Sequence, residues 1–279
     1  IDNFSNGSWD NISNLENKIS VVDADIGAQG SWQTTLNQAD TVIHLAALAD
    51  IVPSIQSPEA YYSANVQGTF NVMEACRNGK VGRVIYSASG SCYGIAKNYP
   101  TSETDEISPE YPYALTKFLG EQIVMHWSKV YNIPAISLRF FNVYGPRSRT
   151  SGTYGAMFGV FLAQKLSGMP LTVVGDGSQT RDFTFVSDVV RAVLAAAQSD
   201  VSGEIFNVGT GVPVTVNKIV DLLGCEKVHI PKRPGEPDCT QADIQKIRTA
   251  LGWEPIVSIE QGVSELIDNI QYWSKAVAW

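Results

Sequence analysis

The chain has 279 residues, of which 44% are hydrophobic, a proportion typical of a globular protein with a buried core. Its longest apolar runs, at 41–48 and 189–197, fall well short of the roughly 20 residues that a transmembrane helix requires. The first residues form neither a basic stretch nor an apolar segment, so we expect no signal peptide. The formal net charge of −8 disfavours nucleic acids and anionic membranes as partners, because both are bound mainly by clustered Lys and Arg.

The four cysteines and three histidines are scattered along the chain, and no two cysteines are spaced as Cys-x-x-Cys. Metal centres in proteins usually draw on closely spaced His and Cys residues. We therefore predict no metal site, and thiols that stay reduced, as they do in the cytoplasm.

Short β-branched apolar runs alternate with longer stretches of helical period along most of the chain. In chain order they predict strands at 20–23 and 41–46, a helix at 57–77, a strand at 83–88, a helix at 111–131, strands at 135–141 and 171–174, a helix at 186–198, a strand at 205–208 and a helix at 216–223. Ser57 is the predicted N-cap of the first helix, Pro58 its first residue and Gly79 its end. Strands that are apolar throughout indicate a parallel sheet covered on both faces. The predicted fold is a doubly wound α/β sheet.

The regular pattern loosens after residue 143, where a connection rich in Gly, Ser and Pro begins. We place there the boundary between a first lobe, 1–143, and a smaller lobe of mixed α/β structure, 144–279. Part of 182–209 is expected to return to the first lobe. In doubly wound sheets, ligands bind at the carboxyl ends of the strands, so functional side chains are expected at those ends.

Tyr113 and Lys117 are four residues apart on a predicted helix and therefore share one face of it. A lysine ammonium beside a phenol lowers the phenol pKa from its ordinary value of about 10, which lets the tyrosine act as a base near neutral pH. A serine from the hydroxyl-rich run 86–94 could hydrogen-bond the same substrate oxygen. Taken alone, the spacing fits an ordinary helix with an exposed lysine equally well.

Further motifs accompany this pair in a fixed order. They are Asp-Asn-Phe-Ser-Asn-Gly at 2–7, Ala-Asp-Ile at 24–26, His-Leu-Ala-Ala at 44–47, Asn-Val-Gln-Gly-Thr at 65–69, the run around Ser89, Tyr-x-x-x-Lys at 113–117, Arg-Phe-Phe-Asn-Val-Tyr-Gly-Pro-Arg at 139–147 and Gly-Asp-Gly-Ser-Gln-Thr-Arg-Asp-Phe at 175–183. With these motifs, the sequence resembles over nearly its whole length the extended short-chain dehydrogenase/reductases, specifically the NAD-dependent nucleotide-sugar epimerases and dehydratases. The resemblance implies a Rossmann fold that binds NAD and a lobe that binds a UDP-sugar.

By this resemblance, the first lobe holds the cofactor. Asp2 would bind the ribose hydroxyls of the adenosine, and Asp25 and Ile26 would flank the adenine. Lys117 would hold the nicotinamide ribose. The other residues assigned to NAD are Asn3, Ser5, Asn6, Ala46, Ala47, Asn65, Ser87, Tyr113 and Phe140.

The resemblance also assigns a catalytic set, Ser89, Tyr113 and Lys117. Tyr113 would take the proton of the sugar C4 hydroxyl while hydride passes to NAD. Arg181 would bind the nucleotide diphosphate, because a guanidinium group forms paired, charge-assisted hydrogen bonds with phosphate. The residues assigned to the substrate are Ser89, Asn142, Arg181, Arg233, Glu236 and Thr240.

The pair after Ser89 is Gly90-Ser91, where dehydratases of the family carry Asp-Glu. Elimination then lacks its acid and base, and the decarboxylases, which usually have a nearby Glu, are disfavoured for the same reason. What remains is oxidation at C4, rotation of the keto sugar and reduction from the opposite face, which is 4-epimerisation. Thr240 corresponds to the residue that borders the sugar C2 substituent. Its small side chain favours UDP-N-acetylglucosamine or UDP-N-acetylgalactosamine, with UDP-glucose and UDP-galactose still open.

Three alternatives stay open: a nucleotide-sugar dehydratase, an NADPH-dependent keto-sugar reductase, and a non-catalytic protein that binds NAD or a nucleotide sugar. Asp2 argues against the reductase, because a carboxylate there repels the 2′-phosphate of NADPH. The intact Ser89, Tyr113 and Lys117 argue against a non-catalytic protein.

Two expectations concern the whole enzyme. The family forms homodimers through two long helices per subunit, for which 58–77 and 111–131 are the candidates. Family members also begin with a strand and a Gly-rich turn leading into a helix that binds the pyrophosphate, and this first β-α unit is missing before Asp2. The resemblance therefore predicts roughly 30 further residues at the front of the sheet.

Overall fold

The computed structural model describes residues 1–15, 17–148, 157–232 and 237–275. The chain divides into two compact units. Unit 1 comprises Ile1–Ala88, Tyr111–Leu138 and Asp200–Glu204, and unit 2 comprises Ser89–Glu110, Arg139–Ser199 and Ile205–Trp279. These units are defined by packing alone, and the functional lobes at 1–143 and 144–279 remain a prediction.

The strands follow the predicted order along the chain. They are β1 Val42–His44, β2 Val84–Ser89, β3 Ala135–Phe140, β4 Val143–Tyr144, β5 Leu171–Val174, β6 Thr180–Arg181, β7 Thr184–Phe185, β8 Glu204–Val208, β9 Val214–Thr215 and β10 Lys227–Ile230. The central sheet has the order β1-β2-β3-β8. Strands β1 and β2 pair in parallel, with Val42 opposite Val84. All six residues of β2 are buried, as expected of a strand covered on both faces.

Helices lie between the strands. They are α1 Ile51–Gln56, α2 Pro58–Tyr62, α3 Gly68–Gly79, α4 Pro112–Tyr131, α5 Met157–Leu166, α6 Val186–Gln198, α7 Val216–Leu223, α8 Gln245–Leu251 and α9 Ile259–Asp268. In unit 1, α3 packs against α4, and Met73, Val84 and Val124 share one apolar core. The predicted parallel α/β fold is confirmed. No helix within the described residues is both long enough and apolar enough to cross a membrane.

The strand predicted at 20–23 is not formed. Asp23 makes only a single parallel bridge, to Asp2: the Asp2 amide donates to the Val22 carbonyl and the Ala24 amide donates to the Asp2 carbonyl, both at 3.1 Å. After Asp2 the chain turns, and Phe4 adopts a left-handed conformation with φ of 52°.

The helix predicted at 57–77 is interrupted. A π-helical turn, Ser63–Gln67, separates α2 from α3, and such turns are frequent at functional sites. Gly79 does not end the helix: α3 includes it, and Lys80 supplies the left-handed cap with φ of 53°. Gly79 instead allows close packing, since a Cβ there would lie 2.9 Å from the Asn37 side-chain oxygen.

Unit 2 has an aromatic core of its own. The rings of Tyr144 and Phe158 stack with centroids 4.6 Å apart, and Phe183 and Phe185 meet Tyr144 edge to face. Short two-stranded sheets surround this core: β5 with β10 and β4 with β7 in parallel, and β6 with β9 antiparallel. These pairings position the residues that follow Arg181.

Candidate active site

Unit 1 contains a cavity of about 800 Å³. Its walls include β1, the residues that follow β1 and the first residues of the chain. Eight residues assigned to the cofactor line it: Asp2, Asn3, Ser5, Asn6, Asp25, Ile26, Ala46 and Ala47. The structure thus brings together residues from three separate sequence motifs.

Asp2 is fixed at the wall of this cavity. Its backbone bridges to Asp23, and its carboxylate Oδ1 accepts a hydrogen bond from the Phe4 amide at 2.7 Å. Gly7 lies close by, since a Cβ on it would be 3.5 Å from both carboxylate oxygens. A fixed carboxylate suits a pair of ribose hydroxyls, which can both donate to it, and it repels a phosphate group at the same place.

The segment at Asp25 and Ile26 forms another part of the wall. The Asp25 carboxylate accepts a hydrogen bond from the Gly27 amide at 2.7 Å, which closes a tight turn. The Ile26 carbonyl accepts one from the Asn71 side chain at 2.8 Å. Asn71 is a buried residue of α3 that the motifs did not single out, and it ties the wall to that helix.

His44 ends β1 and is buried. Its Nε2 lies 3.0 Å from the Thr69 hydroxyl, and that hydroxyl donates to the Asn65 carbonyl at 2.6 Å. Because the hydroxyl proton is used in this way, Nε2 must carry the hydrogen of the imidazole. Burial, with a smaller contribution from the charge of Lys117, lowers the pKa of His44 from 6.5 to about 3. His44 is therefore a neutral support for the cavity wall at physiological pH.

Asn65, in the π-helical turn, is buried. Its side chain accepts a hydrogen bond from the Leu48 amide at 2.8 Å and donates to the Leu48 carbonyl at 3.0 Å. It also donates to the Thr116 hydroxyl at 3.0 Å, and Thr116 donates to the Tyr113 carbonyl at 3.1 Å. Asn65 thus connects the loop after β1 with the first turn of α4.

Tyr113 lies in the first turn of α4 and is half-buried. Its ring is perpendicular to that of Tyr61, with centroids 6.5 Å apart. The Tyr61 hydroxyl donates to the Ala49 carbonyl, which anchors this ring beneath the loop after β1. Tyr61 is a neighbour of Tyr113 that sequence reasoning missed, because residues so far apart in sequence give no local signal.

Lys117 is not an exposed lysine: it is only 4% exposed, and its Nζ lies 4.6 Å from the ring centroid of Tyr86. The Tyr86 hydroxyl donates to the Lys117 carbonyl at 3.2 Å. Burial lowers the pKa of Lys117 from 10.5 to about 7, and the Glu121 carboxylate opposes that change. Gly120 makes room for Tyr86, whose hydroxyl would collide with a Cβ at that position. The alternative of an ordinary solvent-facing helix is therefore wrong for this lysine.

Ser89 ends β2 and belongs to unit 2. Its hydroxyl donates to the Ser91 hydroxyl at 3.0 Å and accepts from the Ser91 amide at 3.2 Å. Gly90 is pressed against the buried ring of Phe141: a Cβ on it would lie 2.8 Å from one ring carbon and 3.0 Å from two others. Any side chain at position 90 therefore requires the ring to move.

Asn142, Asp182 and Thr240 meet in unit 2. The Asn142 side chain donates to the Thr240 hydroxyl at 2.9 Å and to the Asp182 carbonyl at 3.2 Å. Asn142 has an unusual φ of 24°, a conformation that is sparsely populated and found preferentially at functional sites. The neighbouring Arg181 is half-buried, and its guanidinium donates to the Thr180 carbonyl at 2.9 Å.

The remaining assigned residues are placed as follows. Ser87 is buried within β2 and Phe140 ends β3, whereas Arg233 and Glu236 lie outside the described residues. Arg139, adjacent to Phe140, is buried, and its guanidinium donates to the Tyr93 hydroxyl at 2.7 Å. Arg139 therefore lies in the core of unit 2, where its hydrogen bond to Tyr93 stabilises the fold.

A cavity lined by β1 and an acidic residue, on a parallel α/β sheet, is typical of dinucleotide-binding enzymes. Residues 3–209 match the model of the NAD dependent epimerase/dehydratase family. The chain therefore belongs to this family, and the predicted family and its cofactor, NAD, are confirmed. The residues fit the adenosine half of that cofactor, since Asp2 and the small Ala46 and Ala47 face the same cavity.

Individual relatives differ in the reaction for which they are named. The UDP-glucose 4-epimerase of Mycolicibacterium smegmatis is 32% identical over 283 residues, which cover 96% of this chain and 88% of that one. The UDP-N-acetyl-alpha-D-glucosaminuronate decarboxylase of Bacillus cytotoxicus is 30% identical over 285 residues, with the same coverage. The structure of the UDP-N-acetylglucosamine 4-epimerase from Methanobrevibacter ruminantium, in complex with UDP-N-acetylmuramic acid, superposes with a TM-score of 0.91 at 28% identity, covering 99% and 89% of the two chains.

Proposed function

We propose that this protein is an NAD-dependent 4-epimerase of a UDP-hexose. The observation that carries the proposal is the Gly90-Ser91 pair beside Ser89. Gly90 faces the Phe141 ring without space for a side chain, and the Ser91 hydroxyl is hydrogen-bonded to Ser89. Position 90 has no room for a carboxyl group and position 91 carries none. A dehydratase or decarboxylase would need an acid there that this chain does not supply.

The catalytic roles follow from the chemistry of each side chain. Bound NAD supplies the acceptor and donor of hydride at C4. Tyr113 removes the proton of the C4 hydroxyl and returns it when the keto group is reduced. Lys117, one turn further along α4, stabilises the Tyr113 phenolate when its own ammonium is charged. Ser89 is assigned by the resemblance to hydrogen-bond the reacting oxygen.

The substrate assignment rests on residues of unit 2. Thr240 is small and hydrogen-bonded to Asn142, which supports room for an acetamido group at C2. We therefore propose UDP-N-acetylglucosamine and its C4 epimer as preferred substrates, with UDP-glucose and UDP-galactose as the second candidates. Arg181, with Arg233, is proposed to bind the diphosphate, and Glu236 the uridine ribose.

The alternatives predict different requirements. A keto-sugar reductase would consume NADPH, which the carboxylate of Asp2 at the cavity wall disfavours. A non-catalytic binding protein would have no need of Tyr113 and the buried Lys117 on one helix. The cytoplasm remains the proposed location, where the four free cysteines would stay reduced.

The test is to incubate the purified protein with UDP-N-acetylglucosamine or UDP-glucose, with and without added NAD, and to resolve the products by chromatography. We expect the C4 epimer to form to equilibrium without net consumption of NAD. Tyr113→Phe should lower turnover by roughly 10²–10⁴-fold while UDP-sugar binding persists, because only the proton transfer is lost. A 4-keto-6-deoxy product, release of carbon dioxide from a UDP-uronic acid, or turnover that requires NADPH would contradict the proposal.

We also propose that the enzyme is a homodimer formed through the helical segments 58–77 and 111–131. The exposed side chains of Leu115 and Val130, which lie within about 60° of each other around α4, are consistent with a partner at this surface. Sedimentation velocity should give a mass of two chains, and Leu115→Glu should shift the protein toward the monomer. A wild-type protein that sediments as a monomer at micromolar concentration would rule the dimer out.

A further inference from the structure

Asp182 is a fully buried carboxylate, with 0% of its surface exposed. It accepts four hydrogen bonds. Oδ1 accepts from the amide and the hydroxyl of Thr210, both at 2.6 Å, and Oδ2 accepts from the amides of Gly211 and Ala242, both at 2.9 Å. A buried carboxylate is stable only when its oxygens are satisfied in this way. The Asp182 carboxylate therefore constrains the two segments that supply the donors, one containing Thr210 and Gly211 and the other containing Ala242.

One of these segments, 238–243, carries Thr240. Its backbone bonds on one side to Thr180, whose amide donates to the Asp238 carbonyl at 2.9 Å and whose carbonyl accepts from Thr240 at 3.2 Å. On the other side it bonds to Thr101, whose amide donates to the Gln241 carbonyl at 2.8 Å. Asp182 binds the amide of the next residue, 242. This buried contact helps to fix the register of the segment.

The packing around this contact leaves little freedom. Gly209 lies so close that a Cβ on it would be 2.8 Å from Asp182 Oδ2 and would also collide with Ala242. Only a residue without a side chain fits at 209. The Asp182 carboxylate and the segment 238–243 are consequently held against β8 and the residues that follow it.

Asp182 also orients the Thr240 side chain through its backbone. Its amide donates to the Thr240 hydroxyl at 3.2 Å, and Asn142 donates to the same oxygen at 2.9 Å. A hydroxyl has two acceptor sites and one hydrogen. With both acceptor sites used, the Thr240 hydroxyl is left to act as a hydrogen-bond donor to a ligand.

We propose that Asp182 is a positioning residue for sugar selection: its buried carboxylate fixes segment 238–243, and this places the Thr240 hydroxyl as a donor to the C2 substituent of the sugar. The proposal rests on the proposed function for its substrate. Asp182 itself contacts no substrate and acts through Thr240. An acetamido carbonyl at C2 is a good acceptor for this hydroxyl, so fixing Thr240 selects for that substituent.

The test compares Asp182→Ala with a matched control, Asp188→Ala. Asp188 is also fully buried, and its carboxylate accepts from the amides of Ile256 and Val257 and from Arg191, away from segment 238–243. Both variants should lose thermal stability. Only Asp182→Ala should change the ratio of kcat/KM for UDP-N-acetylglucosamine to that for UDP-glucose, by about tenfold, mainly through KM.

A second measurement does not depend on activity. Hydrogen–deuterium exchange of the amides of 240 and 242 should be at least about tenfold faster in Asp182→Ala and unchanged in Asp188→Ala. If Asp182→Ala does not fold, Asp182→Asn takes its place, because it retains one oxygen that accepts hydrogen bonds. It should show smaller changes of the same kind in substrate selectivity and in amide exchange. Unchanged selectivity and exchange, or equal changes in both alanine variants, would overturn the proposal. If the wild-type protein epimerises neither sugar, the proposed function fails, and the exchange measurement alone decides whether Asp182 fixes the segment.

Discussion

Replacing Lys117 with methionine should strongly reduce turnover and at the same time raise the free energy of unfolding at neutral pH. Lys117 is buried in unit 1 with its Nζ over the Tyr86 ring, and burial lowers its pKa from 10.5 to about 7. Since the pKa is lower in the folded state, the unfolded chain binds this proton more strongly between pH 7 and pH 10.5. Burying the lysine therefore opposes folding below pH 10.5, and the penalty reaches roughly 5 kcal/mol at and below pH 7.

Methionine has a similar length and carries no charge, so most of this penalty should disappear. After allowance for the lost contact with Tyr86, Lys117→Met should be more stable by roughly 2–4 kcal/mol at pH 7. The stability of the wild type should increase between pH 7 and pH 10.5 relative to that of the variant. Turnover should fall by roughly 10²–10⁴-fold, because the ammonium proposed to stabilise the Tyr113 phenolate is absent. Urea unfolding at several pH values and the epimerase assay measure the two effects.

Lys18→Met is the matched control, since Lys18 is exposed and lies outside the helices proposed for the dimer. It should change neither stability nor turnover appreciably. A Lys117→Met protein that is less stable than the wild type would show that the charged lysine stabilises the fold. A protein that keeps most of its turnover would remove Lys117 from the catalytic set.

The long, regular elements were predictable from the sequence. Helices α6 and α7 and strand β5 have the predicted bounds, because periodicity and β-branched runs are local signals. The run 20–23 has the composition of a strand, yet its partner is the single residue Asp2. Whether a strand forms depends on what lies beside it, and a local pattern does not contain that information.

The candidate site was predictable as a set of motifs but not as a set of contacts. Asp2, Asp25 and Ala46 come from distant motifs and line one cavity, as the rule for strand ends in α/β sheets suggests. Burial of Lys117 was not predictable, because the i, i+4 spacing to Tyr113 fits an exposed pair as well. The four donors to Asp182 come from residues 28 to 60 positions away. No window along the sequence displays such a cluster.

On the proposed function, Thr240→Tyr should exclude acetamido sugars from the site. The Thr240 side chain is half-buried and hydrogen-bonded to Asn142, so a tyrosine ring must project into the space assigned to the C2 substituent. We expect kcat/KM for UDP-N-acetylglucosamine to fall by about 100-fold or more, because a bulky substituent and a ring compete for the same volume. UDP-glucose, with a hydroxyl at C2, should lose less than about tenfold.

Two further variants separate the effect of the lost hydroxyl from the effect of the tyrosine ring and its position. Thr240→Val keeps the size and removes the hydroxyl, so it should lose only the hydrogen-bond contribution, about tenfold for the acetamido sugar. Cys239→Tyr places the same ring one position earlier, on the other side of the extended backbone. If Cys239→Tyr rather than Thr240→Tyr excludes the acetamido sugar, then Cys239 is the residue that faces C2. If neither variant changes the ratio of the two substrates, this segment does not border C2, and both the substrate proposal and the role given to Asp182 fall together.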